Sequence, residues 1–157
     1  MHAKILALAC LLAALGSLAS AQARPAGRYD EFIALVGLRL DELVARFGAP
    51  SAVHAARGAE EWQDDVVFVY PFGDLYVHRD RVWQVGLGAF YGMSVGDPRA
   101  VADLILGEPA AAQAAQAQGD FIVRQLQPLP GMGWPVAMRV NFSAGAISAI
   151  FVYRSDF

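Results

Sequence analysis

The sequence predicts an α+β fold. Two tandem helix-plus-antiparallel-meander units share one sheet of seven or eight strands with the helices on one face. Three observations lead there. Gly37 to Pro50 runs from a Gly to a Gly-x-Pro, and Gly96 to Pro109 repeats that punctuation with identical spacing 59 residues later. A repeat is read before function because it fixes architecture. Each copy is followed by short β-branched and aromatic runs separated by turn residues, the pattern of a meander. A sheet with an apolar face needs a helix layer to bury it.

The elements follow in chain order. Met1-His2-Ala3-Lys4 is a short positive start, Ile5 to Leu15 is apolar, and Ala19 and Ala21 occupy the −3 and −1 positions of a signal-peptidase site. Residues 1–21 are therefore expected to be a signal peptide, with Ala23 as the second choice of cleavage site. The protein is then expected to be exported, to the periplasm or beyond, with membrane contact only through that peptide. Cys10 sits inside the apolar run, too close to Lys4 for a lipoprotein cysteine, and is the single cysteine. No disulfide is expected, so packing alone must hold the fold. Residues 22–28 read as a linker, 29–91 as the first repeat and 92–157 as the second.

Tyr29 to Val36 reads as a helix with Asp30 as N-cap. Leu40, Leu43, Val44 and Phe47 form the apolar stripe of a second helix. Asp41 and Glu42 lie early and Arg46 late, as the helix dipole favours. Gly48 supplies a left-handed stop and Pro50 prevents resumption. Ser51 to Ala56 is a weak strand and Glu60 to Tyr70 a strong one. Pro71-Phe72-Gly73-Asp74 is a hairpin turn into Leu75–Arg79, and Val82–Leu87 follows. Gly86 to Val95 links the halves. Asp97 is the expected N-cap of the next helix, Pro98 opens it and Gly107 ends it. Ala110 to Gln118 has a helical composition, but its place in the repeat favours an edge strand. Residues 121–126, 136–142 and 147–153 read as strands, with a rigid loop at 128–133.

Charge and chemistry narrow the function. The formal net charge is −3, Lys4 is the only lysine and no arginine cluster exists, so nucleic acid is excluded as an expected partner. No cofactor is expected. Gly92-Met93-Ser94-Val95-Gly96 matches a nucleophile elbow, but both later histidines, His54 and His78, precede the serine, and the surrounding α/β sheet is missing. Glu60, Glu61, Asp64 and Asp65 invite a metal, yet alternate faces of a strand leave only two carboxylates convergent, against about six oxygens for a hard cation. Arg81, Arg139 and Arg154 lie in or beside apolar strands, where a bare charge is costly. The expectation is that Asp64 or Asp65 pairs with one of them. An enzyme is not expected; the minority reading is a metal-assisted hydrolase using Asp64, Asp65 and His78.

Aromatic residues supply the functional reading. Trp62, Phe68 and Tyr70 share one strand parity while Val67 and Val69 share the other, so both faces are apolar. If one face is open, its aromatics form a binding surface. Trp62, Tyr70, Tyr76 and Trp83, with Phe72 and Asp74 of the hairpin, are the candidate partner-binding residues.

The order helix pair, meander, helix, meander, carried by Gly37 to Pro50 with Trp62 and by Gly96 to Pro109, resembles the tandem fold of the β-lactamase inhibitory proteins. It is also similar to the single-unit outer-membrane assembly lipoproteins of the SmpA/OmlA type. The inhibitors carry disulfides and the lipoproteins a lipidated cysteine, and this chain offers neither pattern. The first resemblance implies a hairpin that inserts into a partner's cleft. The expected function is thus a non-enzymatic protein-interaction module of the cell envelope whose partner is an envelope or secreted protein. A small-molecule or lipid carrier, with its pocket between the sheet and loop 128–133, is the alternative.

Overall fold

A computed structural model describes residues 28–57, 64–107 and 120–157. The signal segment, the linker up to Gly27, the strand start with Glu60, Glu61 and Trp62, and the stretch 110–118 lie outside those residues. The described chain is α+β, with a seven-stranded antiparallel sheet and short helices. Helices α1 (Arg28–Ile33) and α2 (Leu40–Phe47) precede strands β1 (Ala52–Ala56), β2 (Asp65–Tyr70), β3 (Gly73–His78) and β4 (Arg81–Leu87). Strands β5 (Ala89–Phe90) and β6 (Met93–Ser94) form a separate small hairpin. Helix α3 (Arg99–Leu106) leads to β7 (Phe121–Leu126), β8 (Val136–Ser143) and β9 (Ala146–Arg154). The sheet order is β1-β2-β3-β4-β9-β8-β7, so two meanders meet where β4 pairs with β9.

The Gly-x-Pro punctuation works as expected at its glycines. Gly48 (φ 76°) and Gly107 (φ 72°) end α2 and α3 in a backbone region that side chains disfavour. Their N–H groups donate to Val44 O and Asp103 O, both at 2.9 Å. Two expected caps are corrected. Asp30 lies inside α1, which starts earlier, at Arg28. Asp97 does not cap α3; its carboxylate accepts the Ser94 N–H at 2.8 Å within the preceding turn, and Pro98 takes the N-cap position. A short turn closing on itself competes for the same carboxylate.

The segments before α2 and α3 dock on the hairpin turns in the same way. Gly37 N–H donates to Val82 O and Gly96 N–H to Ile147 O. Val82 N–H donates to Leu38 O and Ile147 N–H to Asp97 O. Leu40 N–H donates to Asp80 O and Arg99 N–H to Gly145 O. Both turns have two residues at positive φ, Arg79 and Asp80 in one and Ala144 and Gly145 in the other, the geometry that matches strand twist. Both hairpins carry a bulge, with Trp83 as the extra residue of β4 and Ser148 as that of β9. One contact differs. The Trp134 ring lies against Gly37 so closely that a Cβ there would sit 2.7 Å from Cη2, whereas Gly96 has open space.

One cluster forms the core. Leu75, Val77, Val85 and Leu87 of the first meander join Met138, Val140, Ile150 and Val152 of the second, packed with Ile33, Leu35, Val36, Leu43 and Ala102 from the helical segments. The pairing register puts these strand residues on one face: Leu75 opposes Val85, Val85 opposes Val152, and Val152 opposes Met138. Cross-strand partners share a face, so alternate residues must appear on the other.

Candidate functional site

The other face is built from two rows of cross-strand neighbours. One row runs Asp74, Gly86, Phe151, Arg139, Val123. The next runs Val67, Tyr76, Gln84, Tyr153, Ala137. None of these residues belongs to the core cluster. Tyr76, Phe151, Tyr153 and Arg139 are half-buried, while Val67, Gln84 and Ala137 of the same rows are buried. Tyr76 meets Phe151 edge-on at 6.1 Å, and Gly86, lacking a side chain, lets both rings lie beside it. Arg139 lies over Phe151 (5.1 Å) and Tyr153 (5.9 Å). Burial, then Asp74 and Asp65, push the Tyr76 phenol above its ordinary pKa, so it stays a neutral donor.

This face continues into an open cleft of about 1060 Å³ at the hairpin end of the sheet. Tyr70, Phe72, Asp74 and Tyr76 line it from the hairpin side, Phe90 and Tyr91 from the β5–β6 side, and Phe151 from the sheet. The cleft thus gathers four of the six residues singled out by sequence. Phe72 does not project from the turn. It stacks on Tyr70 (5.3 Å, 14°) and touches Phe47 (4.9 Å), which makes it a half-buried wall. The Tyr70 hydroxyl donates to Gly48 O at 3.0 Å, which ties the wall to the end of α2, and burial pushes its phenol pKa up. Trp83 is not in the cleft. Its Nε1–H donates to Asp65 Oδ2 at 3.1 Å and its ring stacks on Phe157 at 5.2 Å. Trp62 lies outside the described residues.

Among the described residues, the five residues expected to form ion pairs take other partners. Arg57 reaches Asp64 at 3.2 Å. Asp65, 10% exposed, faces His78 Nδ1 at 3.6 Å across the β2–β3 ladder and takes the Trp83 N–H. Burial pushes the Asp65 carboxyl up, while Trp83 and His78 pull it back. Arg81 donates to Gly37 O, Arg154 pairs with Asp156 at 2.7 Å, and Arg139 rests on rings. Sequence spacing sets no register between these arginines and the β2 acids, and strand pairing decides which groups meet.

Among the described residues, no three His, Cys, Asp or Glu side chains converge as metal ligands. Ser94 of the elbow-like motif is exposed in the β5–β6 hairpin, with its N–H held by Asp97. No helix among the described residues is long and apolar enough to cross a membrane. Sequence reasoning named Arg139 only as an ion-pair partner and passed over Phe151 as a site residue; the signal was their parity, since the two oppose each other on the non-core face. Comparison with protein-family models, with curated proteins and with solved structures finds no match to this chain.

Proposed function

We propose that this protein is an exported, non-enzymatic interaction module that docks a partner protein across its non-core sheet face and into the adjoining cleft. The observation that carries the reading is continuity: Tyr76 and Phe151 belong both to the sheet face and to the cleft lining. A half-exposed aromatic surface running from a flat face into a recess is suited to a protruding polypeptide segment, since aromatics concentrate at binding hot spots. The architecture behind it is read as two copies of one helix-plus-meander unit, with the helices on the core face only. The matching docking bonds and bulges of the two hairpins support this. The resemblance to β-lactamase inhibitory proteins implies a hairpin inserted into a partner's cleft, and the stacking of Phe72 on Tyr70 favours a different role for this hairpin. The hairpin then acts as a wall of the site rather than as an inserted finger.

A photo-crosslinking amino acid at Tyr76 tests the reading in envelope extract, with the exposed helix position Ala45 as control. A discrete protein adduct from position 76 and none from position 45 supports docking. The carrier reading has its own observation, a cleft of about 1060 Å³, just above the roughly 300–1,000 Å³ range of small-molecule sites, although no residue of loop 128–133, the expected wall, lines it. If mass spectrometry of the native protein shows a stoichiometric lipid or other small molecule, and position 76 gives no protein adduct, the carrier reading replaces docking. Mass measurement of the exported N-terminus checks the expected cleavage after Ala21.

A further inference from the structure

We infer that Arg139 is the receptor for an acidic side chain of the docked segment, which gives the partner a chemistry; this rests on the docking reading above. Arg139 is the half-buried cation of the non-core face. Among the described residues its guanidinium has neither an ion pair nor a hydrogen bond; its Nε is buried without any partner. What holds it is the pair of rings beneath, Phe151 and Tyr153. The other cations of the described chain at comparable burial are used: Arg124 donates to Leu106 O and Gly107 O, and Arg154 pairs with Asp156. A guanidinium stacked on aromatics presents its donor fork edge-on, and a carboxylate fits that fork in bidentate geometry.

A second observation favours a polypeptide over a simple anion. An anion satisfies only Arg139. An extended segment offers, from one chain, a carboxylate to the Arg139 guanidinium and an apolar side chain to the aromatic face that runs from it into the cleft. Phe151, opposite Arg139, and Tyr76, one row away, then receive the apolar residue beside the acid.

Peptide display on the purified full chain tests this, with random peptides of fixed length panned on wild type, R139Q and R139K. The wild type is expected to enrich peptides that place Asp or Glu beside an aromatic or aliphatic residue. R139Q is expected to lose the acid preference, and R139K, which keeps charge but not the fork, to retain part of it. The best wild-type peptide is then titrated on unaltered protein beside a twin whose acid is replaced by its amide. The twin is expected to bind roughly tenfold to a hundredfold more weakly. That arm decides the matter even if R139Q folds poorly. Enrichment without acid preference, or a twin that binds equally, overturns the role of Arg139 and leaves docking standing. Failure to enrich any peptide overturns both.

Discussion

Replacing Gly37 by Ala, with Gly96→Ala as an internal control, separates backbone cost from a packing cost that only one half carries. Both glycines hold positive φ, 94° and 97°, and both donate to the hairpin that follows, to Val82 O and Ile147 O. Alanine in that backbone region costs roughly 1–2 kcal/mol at either site. Its reduction of unfolded-state freedom is common to both and cancels in the comparison. At Gly96 the added Cβ meets nothing within 4 Å. At Gly37 it meets the Trp134 ring, with Cη2 at 2.7 Å and Cε2 at 2.8 Å. Forcing a methyl into a packed ring contact costs about 1–3 kcal/mol. Gly37→Ala should therefore be less stable than Gly96→Ala by about 1–3 kcal/mol. Urea unfolding with unchanged m-values reads the difference. Adding Trp134→Ala should make the Gly37 effect shrink toward the Gly96 value, a non-additive cycle. Equal losses in the two single variants would refute the placement of Trp134 on Gly37.

Two further outcomes follow from the site's surroundings. Burial raises the Asp65 carboxyl above the ordinary aspartate value of 3.8, so in the folded state the proton is held to higher pH than in the unfolded chain. Stability from this group is therefore present at low pH and falls as pH rises from that value through the folded pKa. Asp65→Asn removes this fall; a wild-type minus variant stability difference that is flat between pH 3 and 7, read by urea melts at about one-unit steps, would contradict the sign. Arg124→Met removes the guanidinium bonds to Leu106 O and Gly107 O at the end of α3 and should cost about 1.5–3 kcal/mol. A loss below about 0.5 kcal/mol in the same assay would show that water replaces them at no cost.

The parts of this fold that were readable in sequence are the local ones. Gly48 and Gly107 announce helix ends because few residues tolerate their backbone angles. Strands 121–126, 136–142 and 147–153 recur in the structure within a residue or so, because β-branched runs bounded by turns leave few alternatives. The Asp65–His78 contact was within reach too: once Tyr70 pairs with Gly73, the ladder brings Asp65 level with His78. What sequence could not supply was the pairing of strands distant in the chain. Arg139 became a lone cation on rings only when β8 met β9 in a register that sets it opposite Phe151. Phe72 looked like a projecting anchor because a turn residue reads as exposed; the ring turns back onto Tyr70 and Phe47, where it buries more area. Trp134 reaches the first half through a loop whose path no periodicity encodes.

The register of the β4–β9 seam has a symmetry of its own. The shared bulge makes Val85, Gly86 and Leu87 the counterparts of Ile150, Phe151 and Val152. Across the seam Val85 pairs with Val152, Gly86 with Phe151 and Leu87 with Ile150. Gly86 thus faces its own counterpart, while Val85 and Leu87 each face the counterpart of the other, as two identical edges do when they meet about a dyad. The local axis passes through the Gly86–Phe151 pair, so the open face is centred on a junction that neither half owns. Two identical strands meeting in this way would place the same residue twice at that centre. Here glycine on β4 faces phenylalanine on β9, and the Phe151 and Tyr76 rings lie beside the bare Gly86 backbone, so the face is directional about its own centre.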